Sequence, residues 1–274
     1  MRPSTLVVVA LASLLAASCS TEMNSTKPAD SKLVYPATAR VDHVDTLHGT
    51  AVPDPYRWLE DDNSAETKAW VAEQNKVTFA YLEQIPARSQ LKERLTKLWN
   101  YERYGVPQRE GGRYVFSKND GLQNQSVLYT MRSLDETPRV LLDPNTLSPD
   151  GTVALGPTAI SEDGKLLAYG INVAGSDWQE FKVRDIESGS DLPDHIQWAK
   201  SSGAAWTKDG QGFFYSRYDE PAGTNLLKGV NYFHKVYYHK LGTPQSEDKL
   251  VYDRPDQKEW GFAAGVTDDG RYLA

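Results

Sequence analysis

One cysteine stands in the 274 residues, Cys19, and its isolation excludes both an internal disulfide and a cysteine-ligated zinc. Basic clusters are missing too. With 30 Lys and Arg against 37 Asp and Glu and a net charge of −7, the chain offers no run of cations to displace the counterions of a polyanion, so no nucleic-acid partner is expected. Histidine is scarce, at five, and His234 and His239 lack a third ligand at metal spacing. Neither a metal nor a cofactor is expected. Long apolar runs are confined to residues 6–17, too short to span a bilayer as a stable helix. What the chain does have is a 39% hydrophobic and 11% aromatic content, enough to bury a sizeable core in one or two domains.

Residues 1–19 read as a targeting segment: Arg2 is a minimal cationic start, Leu6 to Ala17 an apolar run, and Ala16-Ala17-Ser18 are small enough for a signal peptidase. Export to the periplasm or cell envelope is expected. Leu15-Ala16-Ala17-Ser18-Cys19 resembles a bacterial lipobox, which implies acylation of Cys19 and a membrane contact through that lipid. Ala16 stands where that pattern most often has Leu, so cleavage without a lipid stays open. Residues 20–34 are polar, rich in Ser, Thr and Pro, and read as a tether.

Four times a polar turn containing Gly runs into an apolar or aromatic strand: Glu110-Gly111-Gly112 before Arg113–Phe116, Ser161–Gly164 before Lys165–Tyr169, Thr207–Gly210 before Gln211–Tyr215, and Thr267–Gly270 before Arg271–Ala274. Asp-Gly and Gly-Gly supply the positive-φ residues of a tight hairpin. The recurrence at roughly 50 residues fits four-stranded propeller blades, whose period is about 40 to 50, although unrelated hairpins would share the turn chemistry. Further strands are expected at Val127–Met131, Arg139–Leu142, Glu180–Asp185 and Lys235–His239. About three blades and the start of a fourth follow, where closed propellers have four to eight.

Residues 35–100 carry a different pattern. Val41 to Gly49 alternates as a strand does, and Pro53-Asp54-Pro55 forces an extended turn. Two helices are expected next. Asp62, Asn63 or Ser64 can cap the first, which carries Trp70, Val77, Tyr81, Leu82 and Ile85 up to Pro86. In the second, Leu91, Leu95, Leu98 and Trp99 form a one-sided stripe without an evident local partner.

Asp54–Asp61, Gly121–Gln125, Leu142–Asn145, Asp150–Leu155, Gly175–Trp178 and Val236–His239 stand in the order and context of the prolyl oligopeptidases, which the chain resembles from about Tyr35 to Ala274. The resemblance implies a serine endopeptidase cleaving short peptides after proline. Its fold would be mainly β: residues 35–100 as the N-terminal α-helical segment of an α/β-hydrolase domain, then residues 101–274 as part of a seven-bladed propeller that gates substrate access. No Gly-x-Ser-x-Gly elbow occurs in the 274 residues, so the nucleophile, its base and the oxyanion donors are expected in a C-terminal hydrolase domain, and no catalytic residue is assigned here.

The family's propeller also places an aromatic residue in the substrate pocket just before the run that here is Ala205-Trp206-Thr207, and counting back puts Ser201 at that place. Trp198 could supply a ring, or serve as a core tryptophan. His43, His48, His195, His234 and His239 read as surface or inter-strand imidazoles, and Asp61-Asp62 and Asp268-Asp269 as cap and turn residues. A second reading, a lipid-anchored propeller serving as a binding or scaffold module, has no use for residues 35–100.

Overall fold

The computed structural model describes residues 33–221 and 230–274; Cys19 and the rest of residues 1–19, expected above to be a targeting segment, lie outside them. The chain divides between Lys92 and Glu93 into two compact units. The boundary falls inside the second helix.

In the first unit, β1 (Val44–Leu47) pairs antiparallel with β2 (Thr50–Pro53) across His48 and Gly49, whose φ values of 50° and 81° make the tight hairpin turn. The alternating stretch beginning at Val41 is thus half of a hairpin, and its pairing runs on through hydrogen bonds from Asp54 N to His43 O and Val41 N to Pro55 O. Arg57 gathers Asp45, Asp54 and Glu60 around its guanidinium. Helix α1 (Ala65–Glu83) starts at Ser64, whose hydroxyl accepts from Thr67 N, so of the three possible caps Ser64 is the one used. Trp70 on its inner face meets Trp58 edge to face at 6.5 Å and donates to Thr38 Oγ1. Helix α2 (Arg88–Trp99) carries Leu91, Leu95, Leu98 and Trp99 in the open, each at least half exposed.

The second unit is built of antiparallel meanders. In the first, β3 (Arg103–Tyr104) and β4 (Gln108–Glu110) both pair with β5 (Arg113–Asn119), which is followed by β6 (Val127–Met131) and β7 (Arg139–Leu142). The second runs β8 (Val153–Ile160), β9 (Leu166–Val173), β10 (Trp178–Asp185) and β11 (Asp191–Lys200). The third runs β12 (Ala205–Trp206), β13 (Gly212–Arg217), β14 (Lys235–Lys240) and β15 (Lys249–Tyr252). In the strand ladder, the pair Ala199 with Arg217 joins the second to the third. A bridge between Val266 and Leu273 opens a further hairpin. Counting β3 and β4 as one interrupted edge strand along β5, three four-stranded blades and the start of a fourth are present, and among the described residues the sheets do not close into a ring.

The turns between the first and second strands of the blades share one chemistry. In Ser161–Gly164, Thr207–Gly210 and Thr267–Gly270 the hydroxyl donates to the Asp side chain, at 2.7, 2.6 and 2.7 Å. The same carboxylate accepts the amide two residues on, and the Gly takes φ near 70°. Ser148-Pro149-Asp150-Gly151 is another copy, its Asp accepting from Thr152 N, and it leads into β8. Gly111, with its neighbour Gly112, makes the corresponding turn of the first blade without an Asp and lies against Gly164, so that a Cβ on either would overlap the other's backbone.

The core lies between blades because successive residues of a strand face opposite sides. Leu167, Tyr169 and Ile171 of β9 pack toward the first blade with Val115, Leu141 and Leu142. Ala168, between them, joins Phe181, Val183, Ile196, Trp206, Phe213 and Tyr215 against the third. Trp206 also donates its indole N–H to Ala159 O at 3.0 Å. On the rim, Glu187 of the second blade takes Arg113 at 2.6 Å and Arg132 at 2.9 Å from the first. Those two guanidiniums hold its pKa down to about 2. A depressed acid contributes stability that is present above its unfolded pKa and lost as pH falls through the folded one. Melting of wild type against Glu187→Gln should therefore show a small difference at neutral pH, reduced by salt because the group is exposed, that closes as pH falls from the ordinary glutamate range toward 2.

Candidate functional site

At one end of the second and third blades a set of aromatic side chains is fixed around Trp178. The β9–β10 turn holds Ala174 and Gly175 at φ 51° and 74°. Asn172 Nδ2 donates to the carbonyls of Ser176 and Trp178, and Trp178 N donates to Ser176 Oγ. Trp178 then pairs with Lys200 across the ladder, and its register with β11 slips after Gln179. Trp198 sits in that slip at φ 62°, a left-handed conformation that a bulky side chain adopts only when its surroundings impose it.

The indole of Trp178 is met edge-on by Trp198 at 6.0 Å and by Tyr218 at 6.1 Å, and the Lys200 ammonium lies 5.3 Å from its centroid. These rings are half-buried. Tyr218 in turn packs against His234 at 4.5 Å, the two rings tilted by 33°. His234 is buried, and burial pushes its pKa below the ordinary histidine range; its Nδ1 accepts Phe262 N at 2.9 Å, which leaves the proton of the neutral ring on Nε2. Ser201 follows directly, exposed, at φ 51°.

Such a surface can hold an apolar or aromatic ring by stacking and edge contacts, with one ammonium at its margin. His43, His195 and His239 pair with carboxylates, and His234 accepts a backbone amide; none of these pairs includes a serine hydroxyl. No group of three or more His, Cys, Asp or Glu could hold a metal among the described residues.

The family model described as the N-terminal beta-propeller domain of prolyl oligopeptidase matches residues 36–274. The chain belongs to the prolyl oligopeptidase family. It is 47% identical to the prolyl endopeptidase of Elizabethkingia meningoseptica over 241 residues, which cover 88% of this chain and 34% of that one. Among solved structures it is similar to a prolyl endopeptidase from a study of inter-domain dynamics in catalysis and specificity, with a TM-score of 0.76 at 34% identity over 88% of this chain and 36% of that one. It is also similar to prolyl oligopeptidase B from Galerina marginata bound to a 25mer macrocyclization substrate, with a TM-score of 0.73 at 34% identity over 87% of this chain and 36% of that one. The chain thus spans about a third of the length of these relatives and corresponds to the N-terminal portion of a prolyl oligopeptidase.

The candidates singled out in the sequence fall in different places. His48 is a turn residue, His43 pairs with Asp45, and His195 pairs with Glu180 on an exposed edge. Asp61 makes a local turn to Asn63 N, and Asp269 closes the last Asp-Gly turn. Trp198 belongs to neither core cluster; Trp206 is the core tryptophan. Sequence reasoning missed the central position of Trp178, although Gly175 just ahead of it signals the turn that aims the ring.

Proposed function

We propose that this chain is the N-terminal segment and opening propeller blades of a serine endopeptidase that cleaves short peptides after proline, and that its blades gate the approach of substrate. The observation carrying this reading is the match over residues 36–274, which takes in the helical segment as well as the blades. A propeller used only as a scaffold has no need of the helical segment, so the peptidase reading is favoured over a lipid-anchored binding module. The exposed stripe of Leu91, Leu95, Leu98 and Trp99 fits the same account, as the face that covers an α/β-hydrolase domain.

Within that enzyme the ring surface of Trp178 and Trp198 takes the part that an aromatic at Ser201 would otherwise play toward residues upstream of proline. In the full natural chain, Trp198→Ala should raise KM a few-fold for peptides with an apolar residue ahead of proline, with kcat little changed. Ser201→Phe should lower it. Equal KM values in all three proteins would remove this surface from the substrate path. Gating makes its own demand: a short proline peptide should be cleaved and the same sequence inside a folded protein left intact.

Export and a lipid on Cys19 complete the proposal, resting on the apolar run that ends in Ala-Ala-Ser-Cys. Detergent partitioning of wild type against Cys19→Ser tests it. The wild type should enter the detergent phase and the variant the aqueous one, whereas two aqueous proteins would remove the anchor.

A further inference from the structure

The second and third blades repeat a three-part arrangement with one substitution. In the second blade Tyr169 of β9 donates its hydroxyl to Asp191 at the head of β11. Arg184 of β10 reaches the same carboxylate at 2.7 Å and extends back to Leu141 O of the preceding blade at 3.1 Å. In the third, Tyr215 of β13 donates to Asp248, just ahead of β15, at 2.6 Å, and the position of Arg184 is taken by His239 of β14. The registers agree: Arg184 pairs with Leu167, two residues before Tyr169, and His239 pairs with Phe213, two residues before Tyr215. The reach to the preceding blade is kept as well. His239 Nε2 lies 3.0 Å from Asp194 Oδ1 on β11, while its Nδ1 lies 2.7 Å from Asp248 Oδ1.

Both carboxylates already act as acceptors, since Asp194 Oδ1 takes the Gly242 N–H and Asp248 Oδ2, beside the oxygen that faces His239, takes the Tyr215 hydroxyl. Both ring nitrogens of His239 must therefore donate, and only the imidazolium has two N–H groups. The groups that face it are Asp194 from β11, Asp248 from the stretch before β15 and, through Asp248, Tyr215 from β13; the Phe213 ring lies 5.4 Å away and adds no charge. His239, Asp194 and Asp248 are all screened from solvent. Asp194 Oδ2 has no partner among the described residues, which leaves the Gly242 N–H and the imidazolium, both on Oδ1, to compensate that buried carboxylate.

We propose that His239 is a protonated clasp between the second and third blades, the titratable counterpart of the permanently charged Arg184, and that it makes this one blade junction sensitive to pH. Burial alone would lower the pKa of the imidazole; the hydrogen bonds that it donates to Asp248 and Asp194 outweigh that effect and hold the value above the ordinary histidine range. A group whose pKa is raised on folding contributes stability that is full below its unfolded pKa and lost as pH rises through the folded one. Neutral His239 keeps one N–H, so one carboxylate then faces a lone pair and the junction loosens.

The test uses the full natural chain. NMR of the imidazole carbons should show His239 titrating above the ordinary value of about 6.5. The melting midpoint of wild type should fall as pH rises through that titration. His239→Gln, which keeps one donor nitrogen and puts an uncharged carbonyl in place of the other, should melt lower at acidic pH and show no such fall. Titration of His239 at or below the ordinary value would overturn the proposal even if the variant fails to fold, and so would parallel pH profiles of wild type and variant.

Discussion

Phe213→Ala should destabilise the full natural chain by about 3 to 5 kcal/mol, the range for deleting a fully enclosed phenyl ring. Phe213 is wholly buried, and its ring lies 5.3 Å from Trp206, 6.1 Å from Tyr215 and 5.4 Å from His239, so the space left by truncation borders three large, immobile neighbours and cannot collapse. The residue before it is as constrained for the opposite reason. A Cβ on Gly212 would overlap the His239 carbonyl in the partner strand, and Gly212→Ala should cost about 1 to 3 kcal/mol through a forced backbone shift. Trp198→Ala supplies the contrast: a half-buried ring outside both core clusters should lose markedly less than Phe213 despite its greater size. Chemical denaturation of the three variants measures the ordering. If Trp198→Ala is the most destabilising, the division between blade core and aromatic surface is wrong.

The blades were legible because their signal is local. Strands expected at Val127–Met131 and Arg139–Leu142 have those limits in the structure, and the Asp-Gly turns fall where positive φ was required. Elements whose reasons lie far away in sequence were not legible. β3 and β12 have two residues each, and both depend on a neighbouring strand for their hydrogen bonds. β2 ends in Pro53 and shows no strand pattern of its own; it forms because β1 lies beside it. The Ser148 turn escaped notice as a repeat because Pro149 interrupts the polar run that marks the others.

The same distinction separates the two parts of the site. A glycine before Trp178 is visible in one dimension, whereas the convergence of Trp198 and Tyr218 on its ring depends on a register slip that no periodicity encodes. His239 was rightly an inter-strand imidazole. What makes it unusual, Asp194 45 residues before it, belongs to another blade.

We infer that these 274 residues supply the blades and helical segment of a peptidase and not its chemistry. Attack on a peptide carbonyl needs a nucleophile, a base to take its proton and donors for the oxyanion, and loss of one oxyanion donor alone costs about 10² to 10³ in rate. The direct measurement compares the purified 274-residue chain with a longer chain carrying the natural downstream sequence, on a chromogenic Gly-Pro peptide and with a fluorophosphonate serine probe. That division of labour predicts neither hydrolysis nor labelling for the 274-residue chain and both for the longer one. Labelling of the short chain that disappears when one of its own serines is replaced would contradict it.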